Sequence, residues 1–411
     1  MVDAGLGKDC ITLDHIAALH KLQYLPLHVK AIPEGTLVPT RVPVMTLYNT
    51  VDHAFWLPNA LETLISATLW GMMTSATTAF QFRKRFMEHA KAVGLDPAFT
   101  KWQGHDFSMR GMFGVEAAIL SGSAHLLSFT GTDTIPALPF HERYYGANLD
   151  TDLVGGSVPA TEHSVMCLDG RAGELALIRR LITEIYPKGI VSIVCDTYDF
   201  WKVITQYLPS LEAEIKARDG KVVVRPDSGD PVKIICGDPS ASTWYEQCGA
   251  IETLGHIFGS TKTAKGARLL SEKVGLIYGD SINLQRQEAI LSGMAAKGWA
   301  FNGVLGIGSY TYQHVTRDTY GFAIKATYAE LEAKDGGREA RAIFKQPKTD
   351  DGLKNSARGL LHVADVDGLT LFENVDWATE QQGLLQTIFL DGNQRNQTTL
   401  AEIRARVEAQ L

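Results

Sequence analysis

Five apolar, β-branched runs between residues 126 and 309 each close on a glycine, aspartate or arginine: LLSFTGTD (126–133), IVSIVCD (190–196), KVVVRPDSG (221–229), VGLIYGD (274–280) and GVLGIGS (303–309). Helical pattern follows each of them. Strands that are apolar along their whole length are buried on both faces, and their alternation with helices makes the sheet parallel. Polar residues just past the strand ends then meet at one rim, where a barrel of this kind carries its site. An open doubly wound sheet would also hold its ligand at strand ends, so the pattern alone leaves both closures open.

The flanking sequence has a different texture. Residues 24–50 read as short strands broken by Pro and Gly, and residues 54–93 carry long apolar stretches of helical character. After about residue 330 the chain turns polar, with a Lys/Arg/Gly-rich loop region over 333–359, two short strands and a terminal helix, TTLAEIRARVEAQL. The expected division is residues 1–100 as part of an α+β domain, 101–330 as an α/β barrel domain, and 331–411 as the remainder of the α+β domain closing back onto its first layer.

The chain has 46 acidic and 39 basic residues in 411, a formal charge of −7, and no long basic run. Neither nucleic acid nor an anionic membrane is an expected partner, and a polyanion site has to be a local cluster. Five scattered cysteines, Cys10, Cys167, Cys195, Cys236 and Cys248, form no C-x-x-C pair, which argues against a disulfide framework and a structural zinc site. The N-terminal sequence lacks a secretory pattern, and no apolar stretch approaches the ~18 residues of a membrane span. A cytoplasmic location fits best.

Asp133, Asp196, Asp227 and Asp280 each follow one of the strands, so a closed sheet points all four at a shared rim. Any single one reads equally well as a turn former or helix cap. Arg110, His163, Arg225 and Arg317 accompany them. Arginine forks suit bidentate phosphate contacts, so arginines among carboxylates point to a substrate with phosphates and hydroxyls, and to Mg²⁺. Structural ion pairing is the plainer reading of each arginine. Gly306-Ile307-Gly308-Ser309 ends a strand before helical pattern, a setting in which backbone N–H groups hold a phosphate. Paired carboxylates at strand ends also serve glycoside hydrolysis, but the basic set and the G-x-G loop favour phosphate.

In order along the chain, HDFSMRG, SAHLLSFTGTDT, SVPATEHS, SIVCDTYD, VVVRPDSG, YGDSIN and LTLFENV resemble the motifs of nicotinamide phosphoribosyltransferases. LPLHVKAIPEGTLVPTRVPV and TRDTYGFAIKATY are similar to that family as well, so the resemblance runs from about residue 24 to the C-terminus. It implies the type II phosphoribosyltransferase fold, an irregular α/β barrel packed on a second α+β domain, in a homodimer with shared active sites. It implies transfer of phosphoribose from phosphoribosyl pyrophosphate to nicotinamide, with Mg²⁺ and with ATP as coupled co-substrate.

Carried over by motif, Phe107 would stack on the pyridine ring and Asp133 would accept from the carboxamide N–H. A carboxylate there repels nicotinate and favours the amide. Arg110 and Arg225 would flank the ring and reach phosphoribosyl pyrophosphate. Asp227 and Asp280 would hold ribose hydroxyls, and Gly308 with Ser309 would cradle the 5′-phosphate, although the family carries a second glycine where Ser309 stands. Arg317, Lys325, Lys345 and Lys354 would bind phosphates from the partner subunit. His163 resembles the histidine that ATP phosphorylates, and Asp196 would hold its imidazole or the Mg²⁺ water shell. The family's preceding segment, which supplies an aromatic opposite Phe107 and an arginine for pyrophosphate, finds no counterpart in Tyr24 or Arg41. A nicotinate-specific relative and an inactive nucleotide-binding homologue remain as alternatives.

Overall fold

A computed structural model describes residues 11–349 and 355–411, so Cys10 and Lys354 lie outside the described residues. The chain divides into two compact units, one made of residues 1–71 and 316–410 and the other of residues 72–315. The composition changes near residues 101 and 331 instead. The first boundary falls inside the helix Leu57–Val93, whose pattern runs on without a break.

The larger unit is built on six parallel strands. Their spatial order is Gly131–Thr132, Gly104–Asp106, Val304–Ile307, Val274–Tyr278, Asp219–Arg225 and Lys188–Val194. The segment 156–160 joins the two edges of this sheet. Gly156 bridges Gly131 at one edge and Ala160 bridges Ser192 at the other, both in parallel sense. Thr132 N–H donates to Gly156 O across 3.0 Å and Gly156 N–H to Thr130 O across 2.8 Å. At the far edge Thr161 N–H reaches Ser192 O at 3.0 Å and Ser192 N–H reaches Pro159 O at 2.9 Å. The sheet is therefore a closed, irregular barrel and not an open doubly wound sheet.

The core packs on the outer side of these strands. Val191, Ile193, Val222, Val224, Leu276, Leu305 and Ile307 are fully buried with Phe82, Phe86, Ile178, Ile204, Leu254 and Ile290 from the surrounding helices. The inward side is different, because glycines line it. His105 is in register with Gly131 on one side and Gly306 on the other, and paired residues in a parallel sheet project to the same face. A Cβ added at Gly131 would stand 2.7 Å from His105 Nδ1, so only glycine leaves that ring its place.

The smaller unit has a four-stranded antiparallel sheet. Leu27–Ala31 lies between Met45–Asn49 and Gln386–Leu390, with Asn393–Gln394 at the edge. Lys30 and Glu380 form a buried ion pair at 2.9 Å in this unit. The terminal helix Leu400–Glu408 starts on a capping box between Thr399 and Glu402. One expectation is corrected: the polar region after 330 contains a hairpin, Tyr328–Glu332 with Arg338–Ala342, where a loop was expected. The hairpin is exposed along its second strand, so it shows no apolar face to read.

Candidate active site

Asp196 organises the barrel rim. It sits just past the strand Lys188–Val194, and its side chain is only 4% exposed. Oδ2 accepts from Asp227 N–H at 2.8 Å and from the Ser228 hydroxyl at 2.6 Å. Oδ1 lies 3.3 Å from His163 Nε2. One carboxylate thus ties the RPDSG loop to His163, while the imidazole stays 49% exposed. Tyr278 fixes the same loop from the next strand, its hydroxyl donating to Ser228 O at 3.0 Å and Gly229 O at 2.8 Å. Burial raises the Tyr278 phenol, which keeps it a neutral donor.

Arg225 ends the strand Asp219–Arg225, and its guanidinium lies 3.3 Å from Asp227 Oδ2. Its Nε is buried with no hydrogen-bond partner among the described residues. An orphaned charged donor is costly unless a ligand acceptor completes it. Beside it, a cleft of about 160 Å³ is lined by Arg110, Glu162, His163, Ser164, Val194, Arg225 and Asp227. Arg110 is exposed and has no carboxylate partner among the described residues. Two arginines and a histidine facing one cleft, with only part of their charge internally matched, suit a polyanion.

Phe107 follows the strand Gly104–Asp106, and its N–H donates to Ile307 O at 3.0 Å. Its ring lies against two glycines: a Cβ at Gly306 would come within 2.3 Å of it, and one at Gly279 within 3.2 Å. The Arg225 guanidinium stands 4.8 Å from the ring centre and the His105 ring 4.7 Å. Gly306→Ala is therefore expected to displace the ring and lower kcat/KM about 10²-fold, the usual scale for misplacing a reacting partner. Steady-state kinetics beside a thermal unfolding curve would check that the fold survives.

Asp133 follows the strand Gly131–Thr132. Its Oδ1 accepts from His105 Nε2 at 2.9 Å and from the Ser157 hydroxyl at 2.7 Å. Burial raises its carboxyl, but the hydrogen bond and charge of His105, the Ser157 hydroxyl and the charge of Arg225 outweigh that and hold it below the usual range. Asp133 is thus a dependable anion at the rim.

Asp280 is exposed past the strand Val274–Tyr278 and accepts from the Ser281 hydroxyl at 3.0 Å. Gly308 opens the short helix Ser309–Tyr312, and a Cβ there would meet nothing within 4 Å, so space above the loop is free. The Ser309 hydroxyl lies 2.0 Å from where a Gly111 Cβ would stand, so Gly111 makes the room that Ser309 uses. Arg317, Lys325 and Lys345 fall in the unit of residues 1–71 and 316–410, not in the unit that carries the barrel. Arg317 lies 3.5 Å from Asp318. Lys325 and Lys345 are exposed, with no ion pair among the described residues. Sequence reasoning missed His105 and Ser157, both of which lie inside motifs it had singled out for other residues.

A parallel barrel whose carboxyl rim gathers arginines, carboxylates and a histidine around one cleft belongs to the barrel enzymes that handle phosphorylated substrates. Residues 102–393 match the nicotinate phosphoribosyltransferase (NAPRTase) family, and the chain belongs to that family. A curated nicotinamide phosphoribosyltransferase of Acinetobacter baylyi is 50% identical, covering 100% of this chain and 81% of its own length. One from Xanthomonas campestris is 35% identical over 94% of this chain and 79% of its own. One from Mycoplasma pneumoniae is 36% identical over 79% and 69%. Among solved structures, nicotinate-nucleotide pyrophosphorylase from Pyrococcus furiosus aligns with a TM-score of 0.58 at 16% identity, covering 96% of this chain and 83% of that one, a likeness of fold.

Proposed function

We propose that this chain is a nicotinamide phosphoribosyltransferase, forming nicotinamide mononucleotide and pyrophosphate from nicotinamide and phosphoribosyl pyrophosphate. The observation that carries the choice of base is Asp133, an anion held below the usual carboxylate range at the barrel rim. It would accept the carboxamide N–H of nicotinamide and repel the carboxylate of nicotinate. The relatives that share 50% and 35% of their residues carry the same amide-specific name.

As pyrophosphate leaves, C1 of the ribose takes on oxocarbenium character and the pyridine nitrogen attacks from the opposite face. No protein nucleophile is required. Phe107 would align the base, Asp227 and Asp280 would hold the ribose hydroxyls, and Gly308 with Ser309 would take the 5′-phosphate. Arg110 and Arg225 would counter charge on the departing pyrophosphate. Among the described residues no set of three His, Cys, Asp or Glu could hold a metal. Asp227 and Asp280 do suit Mg²⁺ bound mainly by substrate oxygens, the usual arrangement for that ion. Mg²⁺ would there neutralise pyrophosphate charge.

His163 would accept phosphate from ATP and couple hydrolysis to transfer. Its partly exposed ring shares the cleft with Arg110 and Arg225 and is oriented by Asp196. A homodimer is part of this reading. Phe113 is 85% exposed, Ile135 62% and Leu168 78%, large apolar side chains that a second copy would cover. Lys325 and Lys345 of that copy, with Arg317 and Lys354, would meet phosphates. Among the described residues no helix is long and apolar enough to cross a membrane. Free Cys167, Cys195, Cys236 and Cys248 fit a reducing cytoplasm.

The test is product formation from nicotinamide and phosphoribosyl pyrophosphate with Mg²⁺, with and without ATP, in the wild type and in His163→Ala. ATP is expected to raise the wild-type rate and to give the variant no increase over its own ATP-free rate. An equal ATP response in both would remove His163 from the coupling.

A further inference from the structure

We infer that His105 and Ser157 form a clamp that makes Asp133 a one-oxygen acceptor, and that this clamp sets discrimination between carboxamide and carboxylate bases. The inference rests on the proposed use of Asp133 to read the base. Both donors converge on the same atom: His105 Nε2 at 2.9 Å and the Ser157 hydroxyl at 2.7 Å both meet Oδ1. No hydrogen bond reaches Oδ2 among the described residues, and the Asp133 side chain is 46% exposed.

A free aspartate rotates and offers either oxygen to water or to substrate. Here one oxygen is saturated, which fixes the carboxylate plane and leaves a single acceptor facing outward. With Asp133 anionic, the shared hydrogen belongs to the imidazole, so Nε2 is the protonated nitrogen. Two donors on one oxygen also keep the negative charge in place, and that charge is what turns nicotinate away.

The fold supplies each half of the clamp from a different part of the barrel. His105 comes from the inward face of the strand Gly104–Asp106, where Gly131 leaves its ring room. Its other neighbour is the Phe107 ring at 4.7 Å, so one imidazole supports both Asp133 and the stacking surface for the base. Ser157 comes from the 156–160 segment that closes the sheet. Barrel closure and base recognition therefore depend on the same few residues. His105 is buried and touches no substrate in this scheme, so it is a positioning residue.

The test compares wild type with His105→Leu, His105→Gln and Ser157→Ala. The readouts are KM for nicotinamide, KM for phosphoribosyl pyrophosphate, kcat, and calorimetric binding of nicotinamide and nicotinate. His105→Leu removes the donor at similar size and is expected to raise KM for nicotinamide about 10-fold or more. It should narrow the preference over nicotinate by a similar factor while KM for phosphoribosyl pyrophosphate stays within about 2-fold. His105→Gln, which keeps a side-chain N–H, is expected to recover most of the preference, and Ser157→Ala to lose a smaller part of it.

Unchanged base preference in His105→Leu would overturn the clamp. So would a loss spread equally over both substrates, or no recovery in the glutamine variant, since each is what simple structural damage gives. The reading of the whole site is judged separately by the wild type. If the wild type binds nicotinate as well as nicotinamide, that reading fails before any variant is compared.

Discussion

Asp133→Asn is expected to raise KM for nicotinamide about 10- to 100-fold, because a hydrogen bond to a charged acceptor contributes roughly 1.5–3 kcal/mol. The same change should let nicotinate in, since the repulsion between two carboxylates is gone. The His105 and Ser157 donors would still meet the amide oxygen, so the fold should be little affected. The sign of the pH dependence follows from the carboxyl being held below its usual range. Its charge is complete above the ordinary carboxylate pKa and is lost only as pH falls through the lower, folded-state value. Loss of the Asp133 charge should therefore cause no fall in amide preference from neutral pH down to about 4, the ordinary carboxylate range. Measuring the ratio of kcat/KM for the two bases across that interval would check both statements. An asparagine variant with unchanged preference would remove Asp133 from base recognition.

Arg225→Ala is expected to lower kcat about 10²- to 10³-fold, the scale seen when one preorganised charged donor is taken from a transition state. Three features make this residue sensitive. Its Nε is buried without an acceptor among the described residues, its guanidinium stands 4.8 Å from the centre of Phe107, and it neutralises Asp227. Removing it leaves the Asp227 carboxylate with its Asp196-linked backbone but without its cation. Arg225→Lys should recover only part of the rate, because an ammonium cannot present the planar fork or lie over the ring in the same way. Pre-steady-state measurement of product formation separates this loss of chemistry from slower release. A lysine variant at full rate would show that only the charge matters.

The strands that the sequence revealed are the ones whose outward face packs in the core. Lys188–Val194, Asp219–Arg225, Val274–Tyr278 and Val304–Ile307 bury β-branched residues outward, and their apolar runs can be read directly. Asp196, Asp227 and Asp280 follow from that reading because each comes just past a strand end. Gly104–Asp106 and Gly131–Thr132 are too short and too polar or glycine-rich to announce themselves as strands. The run LLSFTGTD was read as a strand throughout, yet Leu126 ends a helix and only Gly131 and Thr132 pair.

Closure of the barrel was not legible, since Gly156 and Ala160 make single bridges with no pattern of their own. The same gap hid the clamp on Asp133. His105 and Ser157 are 52 positions apart in sequence, by subtraction of their numbers, and meet only because the closing segment brings Ser157 beside the strand that carries Asp133. The parity of His105 with Gly131 and Gly306 was the available signal, but it requires the strand register that the sequence did not disclose.

The most direct measurement is a competition in which the wild-type enzyme, with phosphoribosyl pyrophosphate, Mg²⁺ and ATP, is offered equal concentrations of nicotinamide and nicotinate, and the two mononucleotide products are separated and counted. Nicotinamide mononucleotide in large excess, with pyrophosphate released in equal amount, is the expected result. Nicotinate mononucleotide as the main product, or neither nucleotide at high substrate from a folded enzyme, would contradict the assignment of this barrel rim to amide recognition and transfer.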